Sequence, residues 1–575
     1  MVVYMVKKIL INGKIWTENP DMEWAEAVAI EDDKFTAVGS NGDVKSFVEA
    51  QDDKFEVVDL KGKTVLPGFI DGHTHPGIMA RGLWIVYGPS SEDKEELFSN
   101  IKEMAEKYPK EEKPYFCYAR YMSSTFGEEG PHKKDLDAVI SDRPARIQDD
   151  TGHGCLYNSV ALEMLKDENG IPRSLSPIAE PNFVQDENGE YTGWCHQSMS
   201  VGDIGVFEAI GWRPPQSFTE ETGAIVLDTY KHFGITCIMD AVIESEENIQ
   251  FIYNLDQKGE LNLYYDGCSM LDRVENIEIA IERAKRYQKT YGTKHIRCNT
   301  VKFFMDGSTE FGDVLSTEPF YNDPEGKNYG EAHATMEEVR DVLVRLNEEK
   351  LDFHVHCVAD GSFRVMCDAV EAAQKICGDD WSILVTLAHC EFIHPDDVHR
   401  IAELGMYVDF TPHWAGDPEE APKTFFGEER WRNMMDFTAI LEDGPLVGFS
   451  SDTVDPTGLI RVNPFLGIQI GMTRVEPLMT TFDFSLYEDG CRPPASAKFT
   501  LKQLLDGYTR INAKRMRLDH IMGSIETGKL ANLVVLTDDI FECPEDEIIN
   551  IGAEFSYFEG KELRVLNPVD DLNLL

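Results

Sequence analysis

The amino-acid sequence predicts an α/β protein built on a (β/α)8 barrel of the TIM type, with a small β-sandwich formed by both ends of the chain. Three patterns lead to this prediction. Apolar runs that end in polar residues alternate with helical segments through the middle of the chain, as is typical of parallel βα units. Both ends contain short strand patterns, and a Gly-, Pro- and Asn-rich stretch at 83–215 interrupts the alternation.

The two ends of the chain contain alternating apolar residues and turn dipeptides, such as Asn12-Gly13 and Asp32-Asp33. The N-terminal strand patterns are "KILINGKIWT", "EAVAIEDDKFTAVG" and "KFEVVDLKGKTVL". The C-terminal ones are "GSIETGKLANLVVLTDDIF" and "EFSYFEGKELRVL". We therefore assign residues 1–65 and 521–575 to one β-sandwich, and residues 66–520 to the barrel.

The middle of the chain offers nine candidate core strands: "LPGFID", "ARIQDD", "TCIMDA", "LNLYYD", "VKFFMD", "DFHVHC", "LVTLAH", "YVDFT" and "LVGFSS". Helical patterns such as "MEEVRDVLVRLNEE" and "PDDVHRIAELG" lie between them. A barrel of eight strands has no place for a ninth. Because "ARIQDD" lies within 83–215, we assign that stretch to an inserted cap subdomain after the first barrel strand.

The composition excludes several classes of partner. A formal net charge of −49 argues against nucleic-acid and anionic-membrane partners, since both need a basic surface. The start, "MVVYMVKKILINGKIW", has too short an apolar run for a secretory signal, and no window approaches about 18 uninterrupted apolar residues. The 12 scattered cysteines lack a C-x-x-C pair, which favours reduced thiols in a cytoplasmic protein. By default we expect a homodimer.

Metal-ligating side chains stand at the carboxyl ends of the predicted barrel strands, where barrel enzymes carry their chemistry. His73 and His75 follow strand one and, being two residues apart, share one face. The other strands carry Lys302, His354, His356, His389 and Asp452. A single strand-end histidine is usually a satisfied core residue. Several histidines and a carboxylate on one rim predict a metal site.

Six motifs resemble the amidohydrolase superfamily, and within it the amidohydrolase-3 branch of YtcJ-like proteins and N-substituted formamide deformylases. They span nearly the whole chain: "LPGFIDGHTHP", "HFGITCIMDA", "VKFFMDG", "HVHCVADG", "AHCEFIHPDD" and "MGSIETGKLANLVVL". Three departures stand out, because "HCVADGSF" lacks the Gly and Arg that usually flank the strand-five Asp, "SSD" replaces Gly-Ser-Asp, and Asn532 replaces Asp. None of them removes a ligand.

The resemblance implies the metal-dependent hydrolase form of the barrel, with one or two divalent ions. The implied ligands are His73, His75 and Asp452 for one ion, and His356 and His389 for a second. Lys302, carboxylated on Nζ, would bridge the two ions. The alternative is an ordinary salt-bridged lysine beside a mononuclear site, with His389 turned towards the substrate. Zinc is the first expectation, and iron or manganese suit the same nitrogen and oxygen ligands.

The reaction that the resemblance implies is hydrolysis of a C–N bond in an amide, formamide or cyclic amide of a small organic substrate, through metal-activated hydroxide. A bound metal lowers the pKa of water from about 15.7 to about 7. Asp452 would take the water's proton and pass it to the leaving amine. The alternative is another reaction of the superfamily: deamination, decarboxylation, isomerisation, or C–C or C–O cleavage. A non-catalytic scaffold would have lost ligands, and here all are present.

The candidates for substrate contact come from the insertion and the strand-seven loop. "DDTGHGCLYNSVALEML" resembles the branch's Gly-His-x-x-Trp-Asn-Ser segment, so the resemblance makes His153 a catalytic candidate that donates to the substrate carbonyl. The alternative is a helix start capped by Asn158 or Ser159. The complete set of candidates is His153, Tyr157, Asn158, Trp194, His413 and Trp414.

Four further polar residues near the rim receive no ligand role. We expect His354 to pack against a ligand or to support one, because the branch motif assigns the metal to His356. Asp306 and Asp360 are expected to be structural or supporting. Asp240 ends strand two near the predicted metals, but the family motif gives it no ligand role.

Overall fold

A computed structural model describes residues 7–51, 54–91, 93–122, 125–126, 130–149, 154–172, 182–196, 203–215, 217–310, 312–418, 420–454, 456–479 and 482–564 of the chain. The chain divides into two compact units. The first contains Met1–Gly77, Val226–Val454 and Leu459–Asn567, so far as these are described. The second contains Ile78–Ile225 and 456–458, again so far as these are described.

The strands are β1 (Lys7–Ile11), β2 (Lys14–Trp16), β3 (Trp24–Ala25), β4 (Ala27–Glu31), β5 (Lys34–Gly39), β6 (Glu56–Asp59), β7 (Thr64–Pro67), β8 (Phe69–Thr74), β9 (Val86–Tyr87), β10 (Phe116–Tyr121), β11 (Ala145–Asp149), β12 (Cys155–Tyr157), β13 (Asn182–Gln185), β14 (Tyr191–His196), β15 (Ile235–Asp240), β16 (Tyr264–Leu271), β17 (Ile296–Phe304), β18 (Asp352–Cys357), β19 (Val385–His389), β20 (Tyr407–Phe410), β21 (Val447–Phe449), β22 (Leu533–Leu536), β23 (Ala553–Phe558) and β24 (Lys561–Leu563).

The helices are α1 (Asn41–Glu49), α2 (Pro76–Gly82), α3 (Lys94–Lys107), α4 (Lys133–Val139), α5 (Ser159–Leu165), α6 (Asp203–Ile210), α7 (Glu220–His232), α8 (Glu246–Lys258), α9 (Ile277–Tyr291), α10 (Met336–Glu349), α11 (Asp360–Cys377), α12 (Arg400–Glu403), α13 (Lys423–Trp431), α14 (Thr438–Asp443), α15 (Pro464–Thr473), α16 (Leu501–Asp506) and α17 (Asn512–Arg515). Two short 3-10 segments, Pro412–Gly416 and Pro456–Val462, matter for the site described below.

Eight strands form the central sheet of the first unit, in the order β21-β20-β19-β18-β17-β16-β15-β8. Every pair in this sheet is parallel, as sequential βα units require. The predicted eight-stranded barrel is therefore confirmed. Helix α10 coincides with the predicted "MEEVRDVLVRLNEE" and begins with a capping box between Thr335 and Glu338. The helix predicted at "PDDVHRIAELG" is shorter than expected, since only Arg400–Glu403 is helical.

Two side chains of helix α17 close the barrel between its first and last strands. The Asn512 amide donates to the backbone carbonyls of Ile70 and Phe449, both at 2.7 Å. The Arg515 guanidinium donates to the carbonyl of Gly72 at 2.7 Å. A Cβ at Gly72 would lie 1.7 Å from the Arg515 Nη2 atom, so this position has no room for a side chain. The closure therefore requires glycine inside the first barrel strand.

The apolar run at 64–74 divides between two sheets at Gly68, whereas the sequence predicted one strand starting at Leu66. Strand β7 ends just before Gly68 and pairs with β22, and strand β8 begins just after it and pairs with β15. A Cβ at Gly68 would lie 2.5 Å from the side chain of Thr236 on β15. Only glycine lets the chain pass this close to the neighbouring strand as it changes sheets.

Both ends of the chain contribute to two smaller sheets of the first unit. One has the order β5-β4-β1-β6, and the other has the order β24-β23-β22-β7-β2-β3. In the second sheet the C-terminal strand β22 pairs antiparallel with the N-terminal strand β7. Residues of both sheets, among them Val28, Phe35, Val65, Leu533 and Tyr557, belong to one buried apolar cluster.

The second unit has its own six-stranded sheet, in the order β13-β14-β12-β11-β10-β9. Its core packs Leu97 and Ile101 of α3 against Phe116 and Tyr118 of β10 and Ile147 of β11. Strand β11 is the "ARIQDD" run, which lies here and not in the barrel sheet. The unit runs from Ile78 to Ile225, whereas the predicted insertion covers 83–215. The added residues belong mainly to α2 and α7.

Two further observations concern the cysteines and the helices. All twelve cysteines lie within the described ranges, and each is a free thiol. No helix in the described part of the chain combines the length and the apolar character that a membrane span requires.

A buried ion-pair cluster joins the start of β17 to the turn between β23 and β24. His295 Nδ1 lies 2.6 Å from Asp256 Oδ1, and His295 Nε2 lies 3.2 Å from Glu559 Oε1. Burial opposes the charge of the imidazole, but the hydrogen bonds with Glu559 and Asp256 outweigh it and raise the pKa of His295. A raised pKa in the folded state means that protonated His295 stabilises the fold below its unfolded pKa, near 6.5.

We predict that His295→Gln destabilises the protein most below about pH 6.5, and that the loss shrinks as the pH rises through the raised pKa of His295. Urea unfolding of both proteins from pH 5.5 to 9.5 measures this difference. The exposed residue His520, changed to Gln, provides the control. A destabilisation that is constant over this range would contradict the assigned ion pairs.

Candidate metal centre

His73, His75 and Asp452 meet where the first and last barrel strands end. His73 lies in β8, His75 follows it, and Asp452 follows β21. Asp452 Oδ1 lies 3.3 Å from His75 Nε2 and 3.5 Å from His73 Nε2. One ligand atom from each of the three residues lies within 4.8 Å of the others, so the group is compact enough to hold one ion. The sequence predicted these three residues as ligands of the same ion.

Lys302 and His389 border this group. Lys302 Nζ lies 3.3 Å from His73 Nε2, and the lysine side chain is fully buried. His389 Nδ1 lies 3.8 Å from Asp452 Oδ2, on the opposite oxygen from the one that faces His73 and His75. The Asp452 carboxylate therefore lies between two sets of imidazoles, with one oxygen towards each set.

His356 lies beside His389 but outside the compact group. The centroids of the two rings are 4.4 Å apart. His356 Nε2 lies 2.8 Å from the backbone carbonyl of Gly307, which occupies one nitrogen of the ring. The predicted second pair of ligands is thus adjacent in space, but His356 is turned towards the loop that follows β17.

His73 has a second set of neighbours on its other ring nitrogen. His354 Nε2 lies 3.0 Å from His73 Nδ1, and Asp409 Oδ2 lies 3.5 Å from the same atom. These three residues form the second group whose ligand atoms lie within 4.8 Å of one another. A carboxylate beside a ligating imidazole selects its tautomer and orients its ring. We interpret Asp409 and His354 as supports of His73, which matches the expectation for His354.

Asp409 is not among the residues predicted for the site, although its position in the sequence carries a signal. Asp409 stands in the apolar strand "YVDFT", where a buried carboxylate needs a partner. Its partners are Ser450, whose hydroxyl donates at 2.8 Å, and the guanidinium of Arg515. Arg515 belongs to the closure of the barrel, so the side chain that closes the sheet also holds the carboxylate behind His73.

Burial favours the neutral form of four imidazoles at the site by lowering their pKa. It lowers the pKa of His73, His354 and His389 well below the ordinary value, and the Lys302 ammonium lowers each of them further. Burial and the same ammonium lower the pKa of His356 to about 4. A neutral imidazole keeps a nitrogen lone pair, which is the form that binds a metal.

The chemistry of the donor set fits a divalent metal. Neutral imidazoles and a carboxylate are the ligands that zinc, iron(II) and manganese accept. Two buried nitrogens of the site, Nδ1 of His75 and Nδ1 of His354, also have no hydrogen-bond partner among the described residues. Buried polar atoms are normally paired, so these orphans indicate that the site is built around something other than protein.

Two of the predicted ligands have a left-handed backbone. The φ angle is 79° at His389 and 42° at Asp452. Non-glycine residues rarely adopt such angles, and they do so mostly where function requires it. The Asp452 amide donates to the carbonyl of His73 at 2.8 Å, which holds this turn against the first strand. The turn brings the Asp452 carboxylate to His73 and His75.

The two candidates from the strand-seven loop lie in the 3-10 segment Pro412–Gly416. The Trp414 ring stacks on His389, with centroids 5.0 Å apart and an interplanar angle of 23°. His413 is buried, neither of its nitrogens has a described partner, and burial lowers its pKa to about 3. Trp414 therefore borders the centre, whereas the His413 ring lies in the protein interior.

A cavity of about 370 Å³ borders the metal centre. His356 and Trp414 form part of its wall, together with Ser308 and the two methionines Met434 and Met435. Charged side chains complete the lining, and they are Glu310, Glu391, Asp417, Arg461 and Arg492. The cavity is within the size range of small-molecule sites.

The candidates from the predicted insertion belong to the second unit. His153 lies outside the described residues. Asn158 caps helix α5 by accepting from the amide of Ala161 at 2.9 Å, and its side-chain amide donates to the carbonyls of Ile140 and Arg143. Asn158 is therefore the N-cap of α5, as the alternative interpretation of this segment predicted.

Tyr157 and Trp194 pack into the second unit. Tyr157 is fully buried in an apolar cluster and lies 6.0 Å from the ring of Phe183. Trp194 is partly buried and packs against the core around β10.

The aspartates without a predicted ligand role have partners in the protein. Asp306 accepts from the amides of Val358 and Ala359 at 2.9 and 3.1 Å. Asp360 accepts from Thr317 and from the guanidinium of Arg430. These contacts hold the loops that follow strands β17 and β18.

The comparison with known families settles the relationship of the chain. Residues 56–564 match the model of the Amidohydrolase family. The chain belongs to the amidohydrolase family. This match begins at β6 and covers the barrel and the C-terminal strands, and it confirms the resemblance found in the motifs. The family and the two imidazole–carboxylate groups together support a metal-dependent hydrolase.

Three similar proteins illustrate the relationship. The exoenzymes regulatory protein AepA of Pectobacterium carotovorum is 27% identical, over 74% of this chain and 89% of that protein. The N-substituted formamide deformylase of Arthrobacter pascens is 21% identical, over 96% of this chain and 97% of that protein. The crystal structure of an uncharacterized metal-dependent hydrolase from Pyrococcus furiosus has a TM-score of 0.68 at 21% identity, and covers 93% of this chain and 99% of its own.

We predict that Asp409→Asn weakens metal binding by roughly 10- to 100-fold, because the His73 ring loses the carboxylate that orients it. The measurement is the dissociation constant of zinc or manganese in a chelator competition assay. Asp240→Asn is the matched control, since Asp240 is an equally buried barrel carboxylate that accepts from Tyr265 and belongs to neither imidazole group. An equal loss in both variants would contradict the supporting role of Asp409.

Proposed function

We propose that the protein is a metal-dependent hydrolase that cleaves a C–N bond in an amide, formamide or cyclic amide of a small organic substrate. The observation that carries this proposal is the group of His73, His75 and Asp452, whose ligand atoms lie within 4.8 Å of one another at the strand ends of an amidohydrolase barrel. The similarity to an N-substituted formamide deformylase over nearly the whole chain supports the choice of a C–N bond.

The ligands of the metal are assigned by their contacts. His73, His75 and Asp452 would hold one ion, and His389, on the far side of the Asp452 carboxylate, would hold a second together with His356. Zinc is the first choice, and iron(II) and manganese accept the same donors. A divalent metal held there supplies an acidified water molecule and polarises the scissile carbonyl.

Asp452 is the group that moves protons. Its carboxylate lies within 3.8 Å of three imidazoles, and all three are held on rigid strand ends. A carboxylate can accept the proton of the attacking water and deliver it to the leaving nitrogen without leaving its own position. Trp414, which stacks on His389 and lines the cavity, covers the apolar part of the substrate and keeps bulk water from the reacting carbonyl.

Lys302 is proposed to carry a carboxylate on Nζ that bridges two ions. The lysine is fully buried beside His73, and no described carboxylate forms an ion pair with it. Burial lowers the pKa of Lys302 to about 8, and a neutral amine is the form that adds to carbon dioxide. Carboxylation replaces a cation with an anion among metal ligands, which removes the repulsion between the ammonium and the metal.

The free cysteines bear on where the reaction takes place. Since all twelve are thiols, we propose a reducing compartment such as the cytoplasm.

We predict that the protein requires a divalent metal for turnover. Prolonged chelation should abolish hydrolysis in a screen of formamides, acylated amines and cyclic amides, and zinc, manganese or iron(II) should restore it. His75→Ala should retain less metal by elemental analysis, whereas His399→Ala should retain the full content, because His399 is an exposed residue paired with Asp443. Full activity in a verified metal-free sample would defeat the proposal.

We predict that Lys302→Ala loses both metal and activity, because the bridging anion is gone. Formate or acetate in the buffer should restore part of each by filling the vacant position. In the native protein, ¹³C-bicarbonate should produce a carbamate signal in the NMR spectrum, and this signal should be absent from the variant. Lys375→Ala, on the protein surface beside Glu371, is the control.

The outcome that contradicts the bridge is distinct from failure of the hydrolase proposal. If the native protein binds two ions per chain and shows no carbamate signal, another group bridges the ions. The metal-dependent activity would then stand without a carboxylated lysine.

A further inference from the structure

Two arginines that line the cavity beside the metal centre form no ion pair with the described residues. Arg492 is only 2% exposed. Arg461 is partly exposed and lies in the 3-10 segment Pro456–Val462, just before α15. Neither guanidinium forms an ion pair with a described carboxylate, and Arg461 has no hydrogen bond to any described residue. A buried cation is costly unless a counter-charge meets it. Arg492 is therefore a buried cation that has no ion pair with a described carboxylate.

The contacts of Arg492 do not satisfy its guanidinium. Its Nη1 donates to the carbonyl of Pro493 at 3.3 Å, and its Nη2 lies 3.5 Å from the sulfur of Met434. Its Nε has no hydrogen-bond partner in the described structure. The group also lies over the ring of Trp431, 5.2 Å from the centroid. A long carbonyl contact, a thioether and an aromatic face are weak partners for a buried cation.

The backbone around Arg492 is held in place by a second buried arginine. Arg474 Nε donates to the carbonyl of Arg492, and the Arg492 amide donates to the carbonyl of Arg474, both at 3.0 Å. Arg474 also donates to the carbonyls of Met434, Met435 and Pro493. Its own donors therefore go to backbone carbonyls, and it fixes the segments that line the cavity. Arg492 is thus held in a prearranged position.

We propose that Arg461 and Arg492 form a subsite for a carboxylate of the substrate, so that the preferred substrates are N-acylated amino acids or similar amides with a free carboxylate. The subsite and the metal ligand His356 line the same cavity, whose volume of about 370 Å³ suits a molecule of this size. A guanidinium presents paired N–H donors that match the two oxygens of a carboxylate. The inference rests on the proposed hydrolysis and names its substrate class.

The remaining charges of the cavity favour a single negative charge over a double one. Glu310, Glu391 and Asp417 line the same cavity, and a phosphate dianion would meet their repulsion. Electrostatic attraction by Glu391 and Asp417 reaches Arg492, but burial dominates and lowers its pKa. A substrate carboxylate could form the direct ion pair with Arg492 that Glu391 and Asp417 do not form.

The test is a matched series of substrates on the metal-loaded protein. N-formyl and N-acetyl derivatives of glycine, leucine and phenylalanine are compared with their carboxamides, which carry the same scissile bond without the charge. We expect kcat/KM to be roughly 10- to 100-fold higher for the carboxylates, mainly because KM is lower. This is the size of effect that hydrogen bonds to a charged group usually produce. N-acetyl-1,4-diaminobutane tests the opposite preference, for a cation near the three acidic residues.

Variants at Arg461 locate the effect, since this residue is partly exposed and its loss spares the core. Arg461→Gln should bring the ratio of kcat/KM between carboxylate and carboxamide close to one, and Arg461→Lys should recover part of it. Arg432→Gln is the matched control, because Arg432 pairs with Glu428 away from the cavity. Arg492→Gln should lower the same ratio, provided that thermal unfolding shows the variant to be folded.

The two proposals fail in different ways. If amides are hydrolysed but carboxylates hold no advantage over carboxamides, or cationic substrates are preferred, the subsite assignment is overturned and the hydrolase stands. If no compound of the series is hydrolysed, the hydrolase proposal fails for these amides. Calorimetric titration with N-acetylglycine and N-acetylglycinamide then decides the subsite alone, and equal binding of the two overturns it.

Discussion

The hydrogen bonds that Asn512 and Arg515 make across the gap between β8 and β21 are the constraint on which the rest of the structure depends. Asn512 donates to the backbone carbonyls of Ile70 and Phe449, which belong to the two strands at the ends of the described sheet order. Buried carbonyls need donors, and side-chain amides provide them here where the ladder ends. Because the first and last strands carry His73, His75 and Asp452, closing this gap is also what assembles the metal centre.

The same closure reaches the ligands through a chain of buried polar contacts. Arg515 bonds to the carbonyl of Gly72 and to Asp409, and Asp409 lies 3.5 Å from the ring of His73. Glycine at 72 and 448 leaves space for these side chains, since a Cβ at Gly448 would lie 2.2 Å from Asn512. Stability of the barrel and orientation of His73 are therefore not separable, because one guanidinium serves both. Buried networks of this kind act as a unit.

Burial sets the charge state of the site before any metal binds. Four imidazoles and one lysine lie close together and are largely buried, and both burial and electrostatic repulsion from neighbouring cations disfavour the protonated imidazoles. The neutral imidazoles are preorganised donors, so metal binding does not have to displace protons from them. The neighbouring cavity differs, since Arg461 and Arg492 line it and neither forms an ion pair with a described carboxylate. The imidazoles of the centre therefore favour binding of a metal cation, whereas the arginines of the cavity wall favour binding of an anion.

The sequence by itself determined the barrel, the order of its strands and the strand ends that carry metal-ligating side chains, because these follow from local periodicity and from the fixed geometry of parallel sheets. His73, His75 and Asp452 needed only that geometry to be placed together. Only the tertiary structure decided the roles of Asp409, Arg515 and Asn512, whose partners include residues from 41 to 443 positions away in the chain. It also decided that Gly68 divides one apolar run between two sheets and that His356 turns towards Gly307. Such contacts depend on distances across the closed barrel, and a sequence pattern with a period of a few residues carries no information about them.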